Sequence, residues 1–252
     1  MYLCNFHYRM MMDTTDIPIV TVSHNNYYYL SFMIKQLKGT FGAPKQIIVM
    51  DNHSTDPKIL DYLGELERED PNILVIRNST NYGPRINRIN HIEIYRSLPD
   101  VFCLTDSDIL FSPTLPPDFI KIMYEISEYY GAEKVGFALD ISEPDLLHDI
   151  PDYFMGKSLI EWELQFWERP IEPLWEGKYP LYRAEIDTTF CLINKKYENS
   201  CVNIRIGGDF TSKHLPWYRC NSIVDLGKQL EMAKQQGSDS TMAGFLIQKS
   251  PS

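Results

Sequence analysis

No apolar run in this 252-residue chain approaches the length of about 18 residues that a membrane-spanning helix needs, so no transmembrane segment is expected. Basic residues are scarce: 24 Lys and Arg face 34 Asp and Glu, a formal net charge of −10. That balance lacks the basic footprint of a general nucleic-acid binder or of a polybasic membrane-surface protein. Cysteine is sparse too. The five, Cys4, Cys103, Cys191, Cys201 and Cys220, are odd in number and form no C-x-x-C pair. A disulfide framework and a paired-cysteine zinc site are therefore not expected. Cys103 and Cys191 lie inside apolar runs and read as small buried hydrophobes. A reducing compartment, the cytoplasm, is the expected location. The first 16 residues have no continuous apolar core of the kind a secretory signal carries, and read as an extension ahead of the fold (1–16). Internal repeats and low-complexity tracts are absent as well.

What the chain has is a regular alternation. Ile17 to Val22, Gln46 to Met50, Asn72 to Ile76 and Val101 to Leu104 read as buried strands. Helical patterns over Tyr27–Leu37, Pro57–Glu69 and Arg85–Ser97 separate them. Asp56 is the expected cap of the second helix, with Pro57 at its first position. Strands alternating with helices at roughly 25-residue spacing predict βαβ units and a mostly parallel sheet flanked by helices. Three strand ends carry polar clusters: Ser23-His24-Asn25-Asn26, Asp51 to Asp56, and Asp106-Ser107-Asp108. In such a sheet these ends gather on one edge, and ligands bind outside the carboxyl ends of the strands. Asp106 and Asp108, one residue apart, can approach one hard divalent cation whose shell is completed by phosphate oxygens. An isolated Asp-x-Asp is more often an ordinary surface turn, so its weight comes from the other strand ends.

Beyond Pro113 the pattern loosens. A helix is expected from Pro116 to Tyr130, a strand from Lys134 to Leu139, and a helix from Ser158 to Glu168. Pro170 to Pro180, with three prolines, reads as a loop. Tyr182 to Ile193 reads as one strand and Val202 to Ile206 as another. His214-Leu215-Pro216-Trp217-Tyr218 forms a compact aromatic cluster. A helix over Leu226–Gln235 precedes a tail, Gly237–Ser252, expected to be loosely held.

Four motifs in order resemble the nucleotide-sugar-binding half of GT-A glycosyltransferases of the family-2 type: Thr21-Val22-Ser23-His24-Asn25; Val49-Met50-Asp51-Asn52-His53-Ser54-Thr55-Asp56; Asn81-Tyr82-Gly83; and Leu104-Thr105-Asp106-Ser107-Asp108. The feel is closest to bacterial and large-virus members. The chain departs from the pattern in two places: Asn52 stands where many relatives have a second Asp, and the usual Glu-Asp pair of the catalytic base is missing. The resemblance implies an α/β GT-A fold, a nucleotide-sugar-binding half over 17–112, a smaller mixed acceptor-side region over 113–225, and a C-terminal helix and tail over 226–252. It implies a glycosyltransferase moving a hexose or deoxyhexose from a nucleotide-diphosphate sugar, a UDP-sugar favoured, to a hydroxyl of a glycan or other acceptor, with Mn²⁺ or Mg²⁺ as cofactor. By the same resemblance Thr21, Ser23 and Asn25 line the nucleoside pocket. Asp51, with Asn52 beside it, accepts a hydrogen bond from the base edge. Asn81, Gly83 and Arg85 cover base and diphosphate, and Asp106 and Ser107 also belong to the nucleotide-sugar-binding set. Asp106 and Asp108 hold the metal, and His214 is a third ligand. Asp187, with Glu185 second, is the expected general base of an inverting reaction. Trp217, with Tyr218, is the expected acceptor-stacking surface, whereas Trp162 and Trp167 at helical spacing default to core.

Three other readings stay open. A haloacid-dehalogenase-type phosphohydrolase also uses Asp-x-Asp, but Leu110 stands where Thr or Val belongs and the pair normally follows the first strand. A sugar-phosphate nucleotidyltransferase needs a Gly-rich basic loop where this chain has Ser23-His24-Asn25-Asn26. A non-catalytic nucleotide- or glycan-binding module has no reason to keep Asp106, Asp108 and Asp187 together.

Overall fold

A computed structural model of the chain describes residues 14–40, 46–83, 86, 92–187, 189–236 and 241–248. The expected extension, except for a 3₁₀ turn at Thr14–Asp16, and Arg85 lie outside the described residues.

The first half follows the expected alternation: β1 (Ile19–Ser23), α1 (Tyr27–Thr40), β2 (Ile47–Asp51), α2 (Pro57–Glu69), β3 (Ile73–Arg77), α3 (Ile92–Ser97), β4 (Val101–Asp106) and the short β5 (Ile109–Leu110). Every residue of β1 and β2 is buried, as expected of strands covered by helices on both faces. The start of α2 is as expected: Asp56 accepts from the Lys58 N–H and Pro57 opens the helix. Next come α4 (Phe119–Tyr130), β6 (Lys134–Phe137), α5 (Leu159–Leu164), β7 (Pro170–Trp175), β8 (Tyr179–Arg183), β9 (Cys191–Asn194), β10 (Asn203–Ile206), β11 (Lys213–His214), α6 (Leu226–Gln236) and α7 (Thr241–Gln248). Helix α4 ends on Gly131, whose φ of +62° suits a residue without Cβ.

One nine-stranded sheet runs in the order β3-β2-β1-β4-β9-β6-β10-β8-β7. The pairs β3–β2, β2–β1, β1–β4 and β6–β10 are parallel; β9 and β8 run against their neighbours. The result is an α/β fold whose strands mostly point one way, with a mixed region on the side built by the second half.

Three expectations change. The segment Tyr182–Ile193 is two strands, β8 and β9, joined by a segment over 184–190 that carries Glu185 and Asp187. The proline-rich stretch is not a loop: β7 is an edge strand, where a missing N–H costs no ladder bond. The tail contains α7, whose Met242 and Leu246 are buried in the main core. Of the expected helix over Arg85–Ser97, Ile92–Ser97 is helix, and residues 85 and 87–91 lie outside the described residues.

Candidate active site

Register delivers the convergence that the strand ends only suggest. Ser23 pairs with Asp51 across β1–β2, and Val22 pairs with Asp106 across β1–β4. Neighbouring parallel strands lie about 4.8 Å apart, so three polar ends share one edge. Asp51 is 2% exposed; its Oδ2 accepts from the Ser54 N–H at 3.2 Å, while its Oδ1 is buried with no partner. The Ser23 hydroxyl is likewise buried and unpartnered. A buried unsatisfied polar atom in a native fold needs an explanation, and a ligand is one. Thr21 lies two residues back from the edge and is completely buried.

Asn52 builds the adjoining loop. Its Nδ2 donates to the Gly83 carbonyl at 2.6 Å, and its Oδ1 accepts from Asn78 at 2.8 Å. Asn81 Oδ1 accepts from the Gly83 N–H at 2.9 Å, and Gly83 holds a φ of +79° that L side chains rarely adopt. Asn52, which sits where many sequences of this pattern have an acid, therefore works as a two-way clamp that an acid lacking donors could not be. Asn25 braces the neighbouring loop: its Oδ1 accepts from the N–H groups of Thr55 and Asp56 at 2.8 and 3.0 Å.

Asp106, Asp108 and His214 form a cluster whose ligand atoms all lie within 4.8 Å of one another. Antiparallel pairing of β11 with β5 sets His214 opposite Ile109, and the Leu215 N–H donates to the Asp108 carbonyl at 2.9 Å. Asn26 Nδ2 donates to the Ser107 hydroxyl at 3.1 Å, which steadies the turn between the two acids. His214 Nε2 lies 3.4 Å from Asp108 Oδ1, and His214 Nδ1 is buried without a partner. Burial opposes charge on the His214 imidazole, but Asp108 above all, then Asp106 and Glu163, outweigh it and raise its pKa. Two carboxylates and an imidazole, with the His214 Nδ1 buried and unpartnered, fit a divalent cation.

Trp217 and Tyr218 sit inward. They are 1% and 5% exposed, so neither offers a ring face to a sugar. Trp217 instead packs its ring against His214 at 4.9 Å, and the Tyr218 hydroxyl donates to the Asp140 carbonyl at 3.0 Å. Leu215–Trp217 form a 3₁₀ turn with Pro216 inside it, and Leu215 and Trp217 are buried there.

On the acceptor side, Asp187 is exposed, and its carbonyl accepts from the Thr189 N–H at 3.2 Å. Glu185 is exposed as well, but its Oε2 accepts from Asn203 Nδ2 at 2.9 Å. Sequence reasoning missed two features. The first is a fully buried ion pair, Glu163 Oε1 to Arg205 Nη1 at 2.5 Å. Burial pushes the Glu163 carboxyl up to about 7, with Arg205 opposing, and pushes Arg205 down, with Glu163 opposing. The signal was an arginine between two isoleucines of a strand. The second is Tyr153, which packs on Trp217 with ring centroids 6.1 Å apart. Burial chiefly holds its phenol up at about 12, with the negative charges of Asp187, Glu163 and Asp106 adding to the rise. Its hydroxyl is thus within electrostatic reach of both the acid cluster and Asp187. Nothing in the irregular Pro- and Asp-rich stretch around it marked it out.

Comparison with known proteins closes the description. Residues 19–170, more than half the chain, match the family described as Glycosyl transferase family 2. An uncharacterised protein, y4gI, of Sinorhizobium fredii is 20% identical over 147 residues, which cover 57% of this chain and 16% of that protein. This chain therefore spans only a small part of that relative's length. Among solved structures, the mannosyltransferase PcManGT from Pyrobaculum calidifontis, in complex with GDP-Man and Mn²⁺, is 14% identical, with a TM-score of 0.39 over 50% of this chain and 36% of that one. S. aureus TarS 1–349 in complex with UDP-GlcNAc is 12% identical, with a TM-score of 0.46 over 94% of this chain and 68% of that one. No helix among the described residues is long and apolar enough to cross a membrane.

Proposed function

Because the chain belongs to glycosyl transferase family 2, we propose that it moves a sugar from a nucleotide-diphosphate sugar, a UDP-sugar in the first place, to a hydroxyl of a glycan or other acceptor, with inversion at the anomeric carbon. The observation that carries this reading is the Asp106–Asp108–His214 cluster on the same sheet edge as the unpartnered polar atoms of Ser23 and Asp51. Asp106, Asp108 and His214 would hold Mn²⁺ or Mg²⁺, which neutralises the charge that a diphosphate gains as it leaves. Asp51 Oδ1 accepts a hydrogen bond from the base edge. The loop clamped by Asn52, with Gly83 in its left-handed turn, lets backbone approach the nucleotide. Arg85 is assigned to the diphosphate from sequence alone, as a fork of donors.

Asp187 takes the proton from the attacking hydroxyl, a role worth about 10²–10⁴-fold in rate. Its exposure suits a group that meets a free acceptor. Glu185 suits the role less, because Asn203 holds its carboxylate.

Calorimetric titration of UDP and GDP, with and without Mn²⁺, tests the reading. The expected result is binding that needs the metal and is lost in Asp108→Ala. Nucleotide binding that ignores Mn²⁺, or that survives Asp108→Ala, overturns it. A panel of UDP-glucose, UDP-galactose, UDP-N-acetylglucosamine and GDP-mannose, scored by hydrolysis, then identifies the donor.

A further inference from the structure

We propose that Arg205 is a positioning residue: its buried guanidinium fixes the segment over 184–190 and thereby sets where the Asp187 carboxylate stands. The proposal rests on the reading of Asp187 as the base.

A fully buried arginine needs a reason. Two charges cost several kcal/mol each to remove from water, and well-packed apolar residues often replace such a pair without loss of stability. Arg205 is 1% exposed in β10, and Glu163 is 1% exposed in α5. The guanidinium spends its donors in two directions. Nη1 reaches Glu163 Oε1 at 2.5 Å, and Nε donates to the main-chain carbonyl of Glu185 at 2.8 Å. Its plane rests on the Phe166 ring, 4.0 Å from the centroid. Arg205 thus ties together a helix, a strand and a segment without regular structure, two residues before Asp187.

Other ties run within the segment, where the Thr189 N–H donates to the Asp187 carbonyl at 3.2 Å, and at its ends. Ala184 N–H donates to the Asn203 carbonyl at 3.2 Å, and the Phe190 carbonyl accepts from Phe137 N–H at 2.9 Å. Ile186 is buried against Gly136, which has no Cβ to push it away. Only a planar fork can hold Glu163 and a carbonyl at once; a lysine ammonium on its flexible stem would serve one of them. Glu163 in this scheme has one task, to keep the charge of Arg205 acceptable in the core.

The test uses Arg205→Lys and the apolar double variant Glu163→Met with Arg205→Met, in the full chain with Mn²⁺. Hydrolysis of the UDP-sugar that the wild type prefers gives kcat and KM; calorimetry gives UDP affinity. Hydrogen exchange of the 184–189 peptide amides is the readout that needs no activity. Both variants should bind UDP with Mn²⁺ like the wild type. In both, 184–189 should exchange faster, and kcat should fall about 10–100-fold with KM for donor unchanged, the scale expected when a reacting group is displaced by about 1 Å. If the double variant folds and keeps wild-type kcat and exchange, Arg205 is an ordinary structural residue and the proposal is overturned. Equal losses in UDP affinity and kcat overturn it too, since that pattern means general damage. A wild type that neither binds UDP with Mn²⁺ nor hydrolyses any donor sinks the transferase reading instead, and the exchange data still judge whether Arg205 orders the segment.

Discussion

Glu163→Gln is the most informative single change outside the acid cluster. In the wild type, burial raises the carboxyl from an ordinary 4.5 to about 7. A group whose folded pKa is raised contributes stability that is complete below its unfolded pKa and is lost as pH climbs through the folded one. Each pKa unit is worth 1.36 kcal/mol. Integrated from pH 5 to pH 8, a rise from 4.5 to about 7 takes about 2–3 kcal/mol from the folded state. Glutamine has no proton to lose, so this loss is missing in the variant. Removing the negative partner of Arg205 adds a penalty of its own, but a guanidinium does not titrate in this range, so that penalty is constant. Glu163 also helps raise the His214 pKa, behind Asp108 and Asp106, and the variant loses that smaller contribution. Urea unfolding at pH 5, 6, 7 and 8 gives the two stability curves. The variant should gain about 2–3 kcal/mol on the wild type across that span, whatever its offset at pH 5. A difference that stays flat between pH 5 and 8 would refute the claim that burial, not the ion pair, dominates the titration of Glu163.

Three further outcomes follow from named contacts. In Gly136→Ala the new Cβ would stand 3.0 Å from Ile186 Cδ1, Ile186 Cγ2 and the Phe190 carbonyl; overpacking of this kind costs about 1–3 kcal/mol, read by urea unfolding, and donor hydrolysis should fall with metal-dependent UDP binding kept. Asn52→Ala removes the donor to Gly83 and the acceptor for Asn78; UDP affinity should drop, with a stability loss of about 1–3 kcal/mol, and unchanged UDP affinity would count against the loop's role. His214→Ala should weaken Mn²⁺ binding by more than the 10–100-fold typical of outer-shell losses, measured by titration of Mn²⁺ in the presence of UDP.

The readable part of the fold was the part dominated by local pattern. In 17–112 the β-branched runs, the Asp56-Pro57 helix start and the polar strand ends are short-range features, and each survives in the structure. In the second half local pattern competes with long-range pairing. The prolines of β7 forbid a central strand but not an edge, and only sheet order decides which it is. The break between β8 and β9 is hidden because Arg183 to Asp187 alternate polar and apolar residues, as a half-buried strand does. Trp217 in a Pro-containing segment looked like a loop aromatic because nothing local says which side of the chain the core lies on; its ring packs under His214.

The sequence by itself determined the strand–helix rhythm, the polar chemistry of three strand carboxyl ends, and the candidate metal ligands, because propensity, capping and binary pattern act within a few residues of one another. Tertiary structure decided what these become together. Parallel register sets Ser23 beside Asp51 and Val22 beside Asp106. The β5–β11 pair carries His214 across more than a hundred residues of chain to Asp108. The same long-range packing turned Asn25 and Trp217 inward, and buried Glu163 with Arg205 beneath the segment that bears Asp187. Burial and pairing of groups far apart in the chain are properties of the packed whole, and no local stretch encodes them.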